Sequence, residues 1–294
     1  MIVKKCYFKG WAIQPLLFKS DFLWILTVLL SLTCPDTHAQ EFDLQKEISS
    51  PDYKQTKNRV EEKFKNIKPG KFGEFLPGTF RVGNTNERVL ALTFDACGGP
   101  KSNGFDKDLI EFLKKEKIQA TLFVTGQWIA KNIPIFQQLC GEPLFEIENH
   151  GLTHHPCTVG TESKYGIHGT GSVGAAIDEI ELSARQIEFY SHRKPVFYRS
   201  ATAYVDEGCL SIAHELNEAI VSYEVLSGDA VAGVSADAIK DNIIKKTKPG
   251  AIVIMHMNHP ERNGFEALRA AIPVLREKGY RFVKLEQILP NEKK

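Results

Sequence analysis

The stretch ALTFDACGG, residues 91–99, decides the fold that we expect for this chain. It begins as an apolar, β-prone run and ends abruptly at Asp95, after which come Ala96, Cys97 and two glycines. Apolar, β-branched and aromatic residues favour a strand, whereas glycines favour a turn. The stretch is therefore typical of a buried strand that carries an acidic side chain at its carboxyl end.

Similar β-rich runs recur along the rest of the chain, with helical segments between them. One of these segments, residues 173–190, has apolar residues on a single helical face, and Ser235 begins another over 235–248. A third, 265–278, contains Pro273, which should kink it. The β-rich runs are residues 89–94, 120–125, 144–148, 195–199, 219–225, 251–257 and 281–285.

The alternation of apolar strands and helices predicts an α/β fold with a parallel sheet covered on both faces. Such a set of strands suits either an open doubly wound sheet or a barrel that is one strand short of the usual eight. The composition agrees with a globular protein, since 43% of the 294 residues are hydrophobic and 25% are charged. The net charge of +1 gives no reason to expect nucleic acid as a partner.

Residues 1–39 are typical of an export signal. A lysine-rich start precedes an apolar run, residues 22–32, and the segment ends in Thr37-His38-Ala39, a suitable cleavage site. The apolar run is too short to span a bilayer comfortably. We therefore predict cleavage after Ala39, no stable membrane span afterwards, and a periplasmic or extracellular location. The alternatives are an uncleaved anchor and a lipid on Cys34.

The exported chain is predicted to have two parts. Residues 40–87 are polar and contain Pro-Gly pairs, which suggests an N-terminal arm or linker, whereas residues 88–294 carry all the predicted strands. Four cysteines remain after export, and an oxidising compartment permits any of three pairings if both disulfides form. These cysteines are Cys97, Cys140, Cys157 and Cys209.

Polar side chains follow most of the predicted strands at the point where each strand ends. In parallel α/β folds the carboxyl ends of the strands share one face, where active sites are built from several loops. These side chains are therefore predicted to meet in one cavity, although they are far apart in the chain. They are Asp95, His150, His154, Arg199, Asp229 and His256.

The histidines of the motif NHGLTH, His150 and His154, are candidate metal ligands. Their spacing puts both imidazoles on one face of a helical turn, which suits a divalent metal, and the alternative is a pair of exposed loop histidines. Asp95 is the candidate general base for attack by water, although an aspartate at a strand end also commonly caps a turn. Arg199 is the candidate charge partner that keeps Asp95 ionised.

His256 follows the apolar run of the sixth predicted strand. A histidine there is often a hydrogen-bonded core residue. Beside a base and metal ligands it becomes the candidate general acid, because amide hydrolysis must protonate a poor amine leaving group. Asp229, in LSGDA, is the candidate that orients this imidazole and raises its pKa, and the alternative is a turn aspartate.

The ordered set of motifs TFDACGG, NHGLTH, FYRSATAY, LSGDA and GAIVIMH resembles the polysaccharide deacetylase family, also called carbohydrate esterase family four. The resemblance covers roughly residues 88–290. It implies a distorted seven- or eight-stranded (β/α) barrel and metal-dependent removal of N-acetyl or O-acetyl groups from sugar polymers. It also implies the following roles: Asp95 as catalytic base, His150 and His154 as metal ligands, Arg199 as the residue that orients the base, His256 as general acid and Asp229 as its partner.

The first motif departs from the family pattern, which usually has a second acid, a metal ligand, where this chain has Ala96. One protein ligand of the expected divalent metal, zinc above all, is therefore missing, although a catalytic zinc normally has three. We expect Asp95 to be the third ligand, with Cys97 as the next candidate. An extra water or the absence of a metal are the remaining alternatives. The third motif departs too, and only Arg199 transfers from it.

These expectations lead to a hydrolase that deacetylates a cell-envelope polysaccharide such as peptidoglycan or an N-acetylglucosamine polymer. Two alternatives stay open: a weakly active or inactive relative that binds glycan, which Ala96 favours, and a hydrolase of a non-sugar amide. The long loop 157–172 either shapes the substrate groove or is a flexible connection. Trp128 either stacks on a sugar or belongs to the core.

Overall fold

Strands and helices alternate along most of the chain. The computed structural model describes residues 41–290, so the predicted signal segment 1–39 lies outside the described residues. The strands are β1 (Phe72–Gly73), β2 (Val89–Ala96), β3 (Ala120–Val124), β4 (Phe145–Asn149), β5 (Ser163–Lys164), β6 (Ile167–His168), β7 (Phe197–Tyr198), β8 (Val205–Asp206), β9 (Ala219–Ile220), β10 (Val225–Leu226), β11 (Ala251–His256) and β12 (Arg281–Phe282). The helices are α1 (Leu44–Ser49), α2 (Pro51–Phe64), α3 (Lys107–Lys115), α4 (Gly126–Lys131), α5 (Ile133–Cys140), α6 (Val173–Ile177), α7 (Ser183–Ser191), α8 (Glu207–Glu215), α9 (Ala236–Lys246) and α10 (Gly264–Glu277).

Eight of these strands form one sheet in which every pairing is parallel. Its order is β10-β11-β2-β3-β4-β7-β9, and β12 pairs with the start of β2. Every residue of the central strand β2 is buried, as its continuous apolar pattern predicts. The predicted α/β class with a parallel sheet is confirmed.

The sheet must curl, because its two end strands are neighbours in the chain. Only residues 221–224 separate β9 from β10, and a connection of that length reaches about 18 Å at most. In a flat sheet the same two strands would lie about 29 Å apart, at the usual spacing between strands. The path of the chain therefore bends the sheet towards a distorted barrel, which confirms the predicted fold.

The second half of the sheet has shorter strands than the sequence predicts, because side chains take over backbone hydrogen bonds. The predicted run 195–199 shrinks to β7, and the Glu148 carboxylate accepts hydrogen bonds from the backbone N–H groups of Val196 and Phe197 at 2.9 and 2.7 Å. The predicted run 219–225 splits into β9 and β10. Local β-propensity cannot predict that a side chain from elsewhere in the chain will replace a paired strand.

The predicted helices form near their expected positions. The segment 173–190 is helical from α6 to α7, with a π-helical turn, Asp178–Leu182, between them. The Ser235 side chain caps α9 as predicted, by accepting a hydrogen bond from the backbone N–H of Ala238 at 3.2 Å. Helix α10 continues through Pro273 to its end.

The predicted arm packs onto the domain. Helix α2 buries Tyr53 and Val60, Lys57 forms an ion pair with Asp178 at 2.6 Å, and β1 pairs with β8. The chain from Phe42 onward consequently forms one compact unit. In the part of the chain that the structure describes, we find no helix with the length and apolar character needed to cross a membrane.

Candidate active site and metal centre

A cavity of about 430 Å³ opens at the carboxyl ends of the parallel strands. Its inner part, which we call the floor, consists of Asp95, Cys97, His150, His154 and His256. Parallel pairing explains part of this arrangement, because the register of β11 against β2 places His256 beside Asp95. The structure thus brings together residues that lie far apart in the sequence.

Arg199 holds one oxygen of the Asp95 carboxylate. Its Nη1 donates to Asp95 Oδ1 at 2.7 Å and to Thr93 Oγ1 at 2.8 Å, and its Nη2 donates to the carbonyl of Ser222 at 3.0 Å. Both members of this ion pair are buried, and the guanidinium lies over the ring of Phe123, 4.1 Å from its centroid. A buried pair of this kind needs such extra hydrogen bonds to be tolerated. Arg199 therefore fixes the orientation of Asp95, while Oδ2 lies 3.7 Å from His150 Nε2.

His150 and His154 meet without the helical turn that their spacing predicts. The segment after β4 is irregular, with left-handed backbone at Gly151 (φ 91°) and His154 (φ 63°), yet the two rings are 5.1 Å apart. His150 Nδ1 lies 2.7 Å from the carbonyl of Arg199 and donates to it, so Nε2 is the nitrogen that is directed towards Cys97 and Asp95. This orientation is the one that metal-ligating histidines usually have.

Glu179 holds the loop that carries His154, and the sequence analysis missed it. Its carboxylate is 4% exposed and accepts hydrogen bonds from the backbone N–H groups of Thr153 and His155, each at 3.1 Å. At 3.6 residues per turn Glu179 lies outside the apolar face of 173–190, and the π-helical turn Asp178–Leu182 contains it, so the sequence had no clear signal for this buried acid. Such a side chain needs a hydrogen-bonding partner in the fold.

Cys97, His150 and His154 have the geometry of a metal site. One ligand atom from each residue lies within 4.8 Å of the other two, and Cys97 Sγ is 3.8 Å from His150 Nε2. Thiolate and imidazole are donors that suit zinc. The residues present thus fit a divalent metal of that kind.

Ala96 cannot contribute to this site, because its methyl group is buried in the apolar core. Side chains alternate along a strand, so positions 95 and 97 point to the same side and position 96 to the other. This alternation is a sequence signal that could have placed Cys97 on the same side as Asp95. Asp95 as third ligand remains a prediction, and its Oδ1 is already bound to Arg199.

Asp229 orients His256. The backbone N–H of His256 donates to Asp229 Oδ2 at 2.7 Å, and the ring Nδ1 lies 3.1 Å from Asp229 Oδ1. Burial opposes the charged imidazole, but the Asp229 carboxylate outweighs it and raises the pKa of His256 well above its usual value. The ring can therefore carry a proton on Nε2, the nitrogen that Asp229 does not occupy.

Cys97 lies in a strongly electropositive environment. Burial favours the neutral thiol, but the surrounding imidazoles, His154 first, outweigh it and lower the pKa of Cys97 well below its usual value. Burial opposes a charged His150, but the charge of Asp95 and then the contact with Cys97 outweigh it and raise the pKa of His150. The thiolate form that a metal would require is thus favoured by the site itself.

Two open questions from the sequence are answered by packing. Trp128 is fully buried and donates from Nε1 to the carbonyl of Gly104 at 2.9 Å, so it belongs to the core. Cys157 and Cys209 form a disulfide, and Cys97 and Cys140 are free thiols.

The outer part of the cavity, which we call the rim, consists of Glu74, Tyr165, Tyr223, Leu226 and Val231. The sequence analysis missed these residues. Glu74 belongs to the predicted arm, and Tyr165 to the loop 157–172, which forms the hairpin β5–β6. The available signal for Tyr165 was a Tyr-Gly pair between two short polar runs, which is typical of a tight turn.

Comparison with known sequences identifies the same family that the motifs suggest. The sequence model of the polysaccharide deacetylase family matches residues 82–221. The chain is 24% identical over 213 residues to a peptidoglycan-N-acetylglucosamine deacetylase of Bacillus cereus, and the match covers 72% of this chain and 92% of that protein. It is 26% identical over 213 residues to a peptidoglycan-N-acetylmuramic acid deacetylase of Bacillus subtilis, covering 71% of this chain and 74% of that protein.

Solved structures share the fold. A peptidoglycan N-acetylglucosamine deacetylase that is 28% identical matches with a TM-score of 0.61, over 73% of this chain and 94% of that chain. A carbohydrate esterase family four pseudoenzyme from Bacillus anthracis, 21% identical, matches with a TM-score of 0.61, over 81% of this chain and 82% of that chain. The predicted resemblance to the polysaccharide deacetylase family is confirmed by the family model, by the similar sequences and by the shared fold.

Proposed function

We propose that this protein is a metal-dependent hydrolase that removes N-acetyl or O-acetyl groups from a cell-envelope polysaccharide such as peptidoglycan or an N-acetylglucosamine polymer. One observation carries the proposal: Asp95, paired with Arg199, and His256, paired with Asp229, both line the cavity that holds the Cys97, His150 and His154 cluster. An acid, a base and a candidate metal site in one cavity are the parts that amide hydrolysis needs.

The side chains of the floor divide the proton transfers between them. Asp95, held by Arg199, takes a proton from the attacking water. His256, protonated and held by Asp229, donates a proton to the departing amine of the sugar, which is otherwise a poor leaving group. Acetate and the free amine are the products, and both residues return to their starting states when a proton passes between them through solvent.

We further propose that Cys97, His150 and His154 hold the metal, with zinc as the best match to these donors. Bound there, the metal would supply Lewis-acid polarisation of the acetyl carbonyl. Asp95 then stays free to act as the base. The thiolate thereby replaces the acid that the family usually has at the position of Ala96.

Acetate release tests the reaction. Mature protein with added zinc should release acetate from peptidoglycan, from N-acetylglucosamine polymers or from an O-acetylated glycan. No release from any of these three substrates would contradict the proposal. A relative that binds glycan without turnover would then be the better description, and Ala96 is the feature that favours it.

Metal substitution tests the role of Cys97. Cobalt bound by a thiolate should show a thiolate-to-metal charge-transfer band in the near ultraviolet, and Cys97→Ala should abolish it and weaken zinc binding by at least about tenfold. Cys140→Ala, which removes the other free cysteine, is the matched control and should keep the band. Unchanged cobalt spectra in Cys97→Ala would instead favour Asp95 as the third ligand.

Substrates of this kind lie outside the cytoplasm, which agrees with the proposed export and cleavage after Ala39. The disulfide Cys157–Cys209 supports that location, because disulfides persist in oxidising compartments. The mass of the protein purified from a periplasmic or culture fraction tests it. A chain that retains residues 1–39 there would contradict cleavage.

A further inference from the structure

Exposed apolar side chains concentrate at the rim of the cavity. Tyr165 is 74% exposed, Val231 61% and Leu226 46%, which makes them three of the most exposed large apolar residues in the described part of the chain. Scattered apolar residues on a surface need no explanation, but a cluster beside a polar cavity marks a binding surface. The floor does not use these side chains.

Tyr165 is presented by a rigid turn. It sits at the tip of the β5–β6 hairpin in a left-handed conformation (φ 52°), which costs a residue other than glycine about 1 kcal/mol. The base of the loop is fastened by the disulfide Cys157–Cys209 and by the hydrogen bond from Thr158 Oγ1 to Asp206 Oδ2 at 2.6 Å. The ring therefore has a defined position although most of its surface faces solvent.

Other aromatic rings support this position. The ring of Tyr165 meets that of Tyr204 edge to face, with 6.3 Å between their centroids, and Phe72 packs against Tyr204 at 5.3 Å. The Lys164 ammonium lies 4.2 Å from the centroid of Tyr204 and 4.7 Å from that of Tyr165. Lys164 therefore covers one face of the Tyr165 ring, and the 74% exposure of this residue leaves the other side of the ring accessible to a ligand.

The arm adds a hydrogen-bonding group to the same surface. Glu74 accepts a hydrogen bond from the hydroxyl of Tyr223 at 2.8 Å, and Phe75 packs on Tyr223 with 5.3 Å between ring centroids. The pairing of β1 with β8 fixes this part of the arm beside the cavity. The rim thus combines aromatic faces with a carboxylate that accepts hydrogen bonds.

We propose that the rim is a subsite for a neighbouring sugar of the glycan strand, with Tyr165 as the stacking platform and Glu74 as an acceptor for sugar hydroxyls. A sugar ring has apolar C–H faces and a periphery of hydroxyl donors, which match these two groups. The rim and the floor line one cavity, so a polymer whose acetylated unit lies on the floor can extend over the rim. The inference rests on the proposed function and assigns residues outside the floor to recognition of a second sugar unit.

Glycan binding to a catalytically impaired variant tests the subsite. On a His256→Gln background, the pentamer of N-acetylglucosamine should bind more tightly than the dimer. Adding Tyr165→Ala should weaken pentamer binding by about three- to tenfold and leave dimer binding nearly unchanged. Tyr165→Phe keeps the ring and should bind like the parent. Ile48→Ala, which removes another exposed apolar side chain from α1, is the matched control and should have no effect.

The outcomes separate this inference from the proposed reaction. If the wild-type chain releases no acetate but Tyr165→Ala still weakens pentamer binding, the reaction is wrong and the subsite stands. If acetate is released but Tyr165→Ala binds the pentamer like the parent, the subsite is wrong. The subsite is also wrong if neither N-acetylglucosamine oligomers nor glycan strands from peptidoglycan show any preference for length.

Discussion

The floor and the rim of the cavity are built in different ways. The floor residues lie at or just after the ends of parallel strands and are largely buried. Buried side chains such as Arg199 and Asp229 hold them by hydrogen bonds. Three of the five rim residues, Tyr165, Leu226 and Val231, are exposed, and the rim comes from the arm, a disulfide-fastened hairpin and the surroundings of β10. Chemistry is thus supported by the sheet, and recognition by segments laid over it. Substitutions should therefore affect one region and spare the other.

The largest effect is expected at the floor. His256→Gln should lower kcat by about 10²- to 10⁴-fold, because the proposed general acid is lost while the surface that binds glycan is unchanged. Asp229→Asn should have a smaller effect, about ten- to a hundredfold, because it only orients His256. Steady-state acetate release measures both. A fully active His256→Gln enzyme would show that His256 is not the general acid. The assignment of the chemistry to the floor would then lose its main support.

The next effect is expected beneath the rim. Replacing both Cys157 and Cys209 with alanine should lower the free energy of unfolding by about 2–5 kcal/mol, because the bond closes a loop across 52 positions of the chain. KM for a polymeric substrate should rise, while zinc stoichiometry at the floor should stay the same. Urea unfolding and metal analysis test this, with Cys140→Ala as control. Loss of zinc together with the disulfide would show that the two regions are not independent.

The smallest effect is expected away from both regions, at Glu146. Its carboxylate is fully buried and accepts hydrogen bonds from Thr121 and from the backbone N–H groups of Leu285 and Glu286. Burial, together with the nearby charge of Glu286, raises the pKa of Glu146 despite those hydrogen bonds. The folded chain therefore keeps a proton that the unfolded chain has already released.

The sign of the resulting pH dependence follows from that difference. The stability from protonated Glu146 is complete below the ordinary glutamate pKa of 4.5 and is lost as pH rises through the raised value. Glu146→Gln cannot titrate, so the free energy of unfolding of this variant should rise relative to that of the wild type as the pH increases above 4.5. Urea unfolding from pH 4.5 to 8 measures this, with the exposed Glu188→Gln as control. A constant difference between variant and wild type would contradict it.

Much of the floor could be predicted from sequence because its signals are local. An apolar run that ends in a polar residue marks both a parallel strand and its carboxyl end, which places Asp95 and His256 at one edge. The i, i+4 spacing of His150 and His154 predicted that their rings would meet, which they do, but not through a helical turn. The segment adopts left-handed backbone instead of a helical turn, and buried Glu179 holds it there.

The short strands could not be predicted because their partners are side chains from elsewhere in the chain. Glu148 replaces a strand neighbour for Val196 and Phe197, and Arg199 takes the carbonyl of Ser222. β-Propensity describes how a residue suits a pleated surface and contains no information about a distant carboxylate. The predicted runs 195–199 and 219–225 were therefore too long.

The sequence by itself determined the parallel α/β fold, the resemblance to the polysaccharide deacetylase family and the residues of the proposed acid and base, because hydrophobic period and motif order are properties of consecutive residues. Only the tertiary structure decided that Cys97 stands with the two histidines, that Cys157 pairs with Cys209, and that Tyr165 and Glu74 meet at the cavity. The physical reason is the curl of the sheet. It brings together loops that are far apart in the chain, and the sequence separation of these loops does not predict their distance in space.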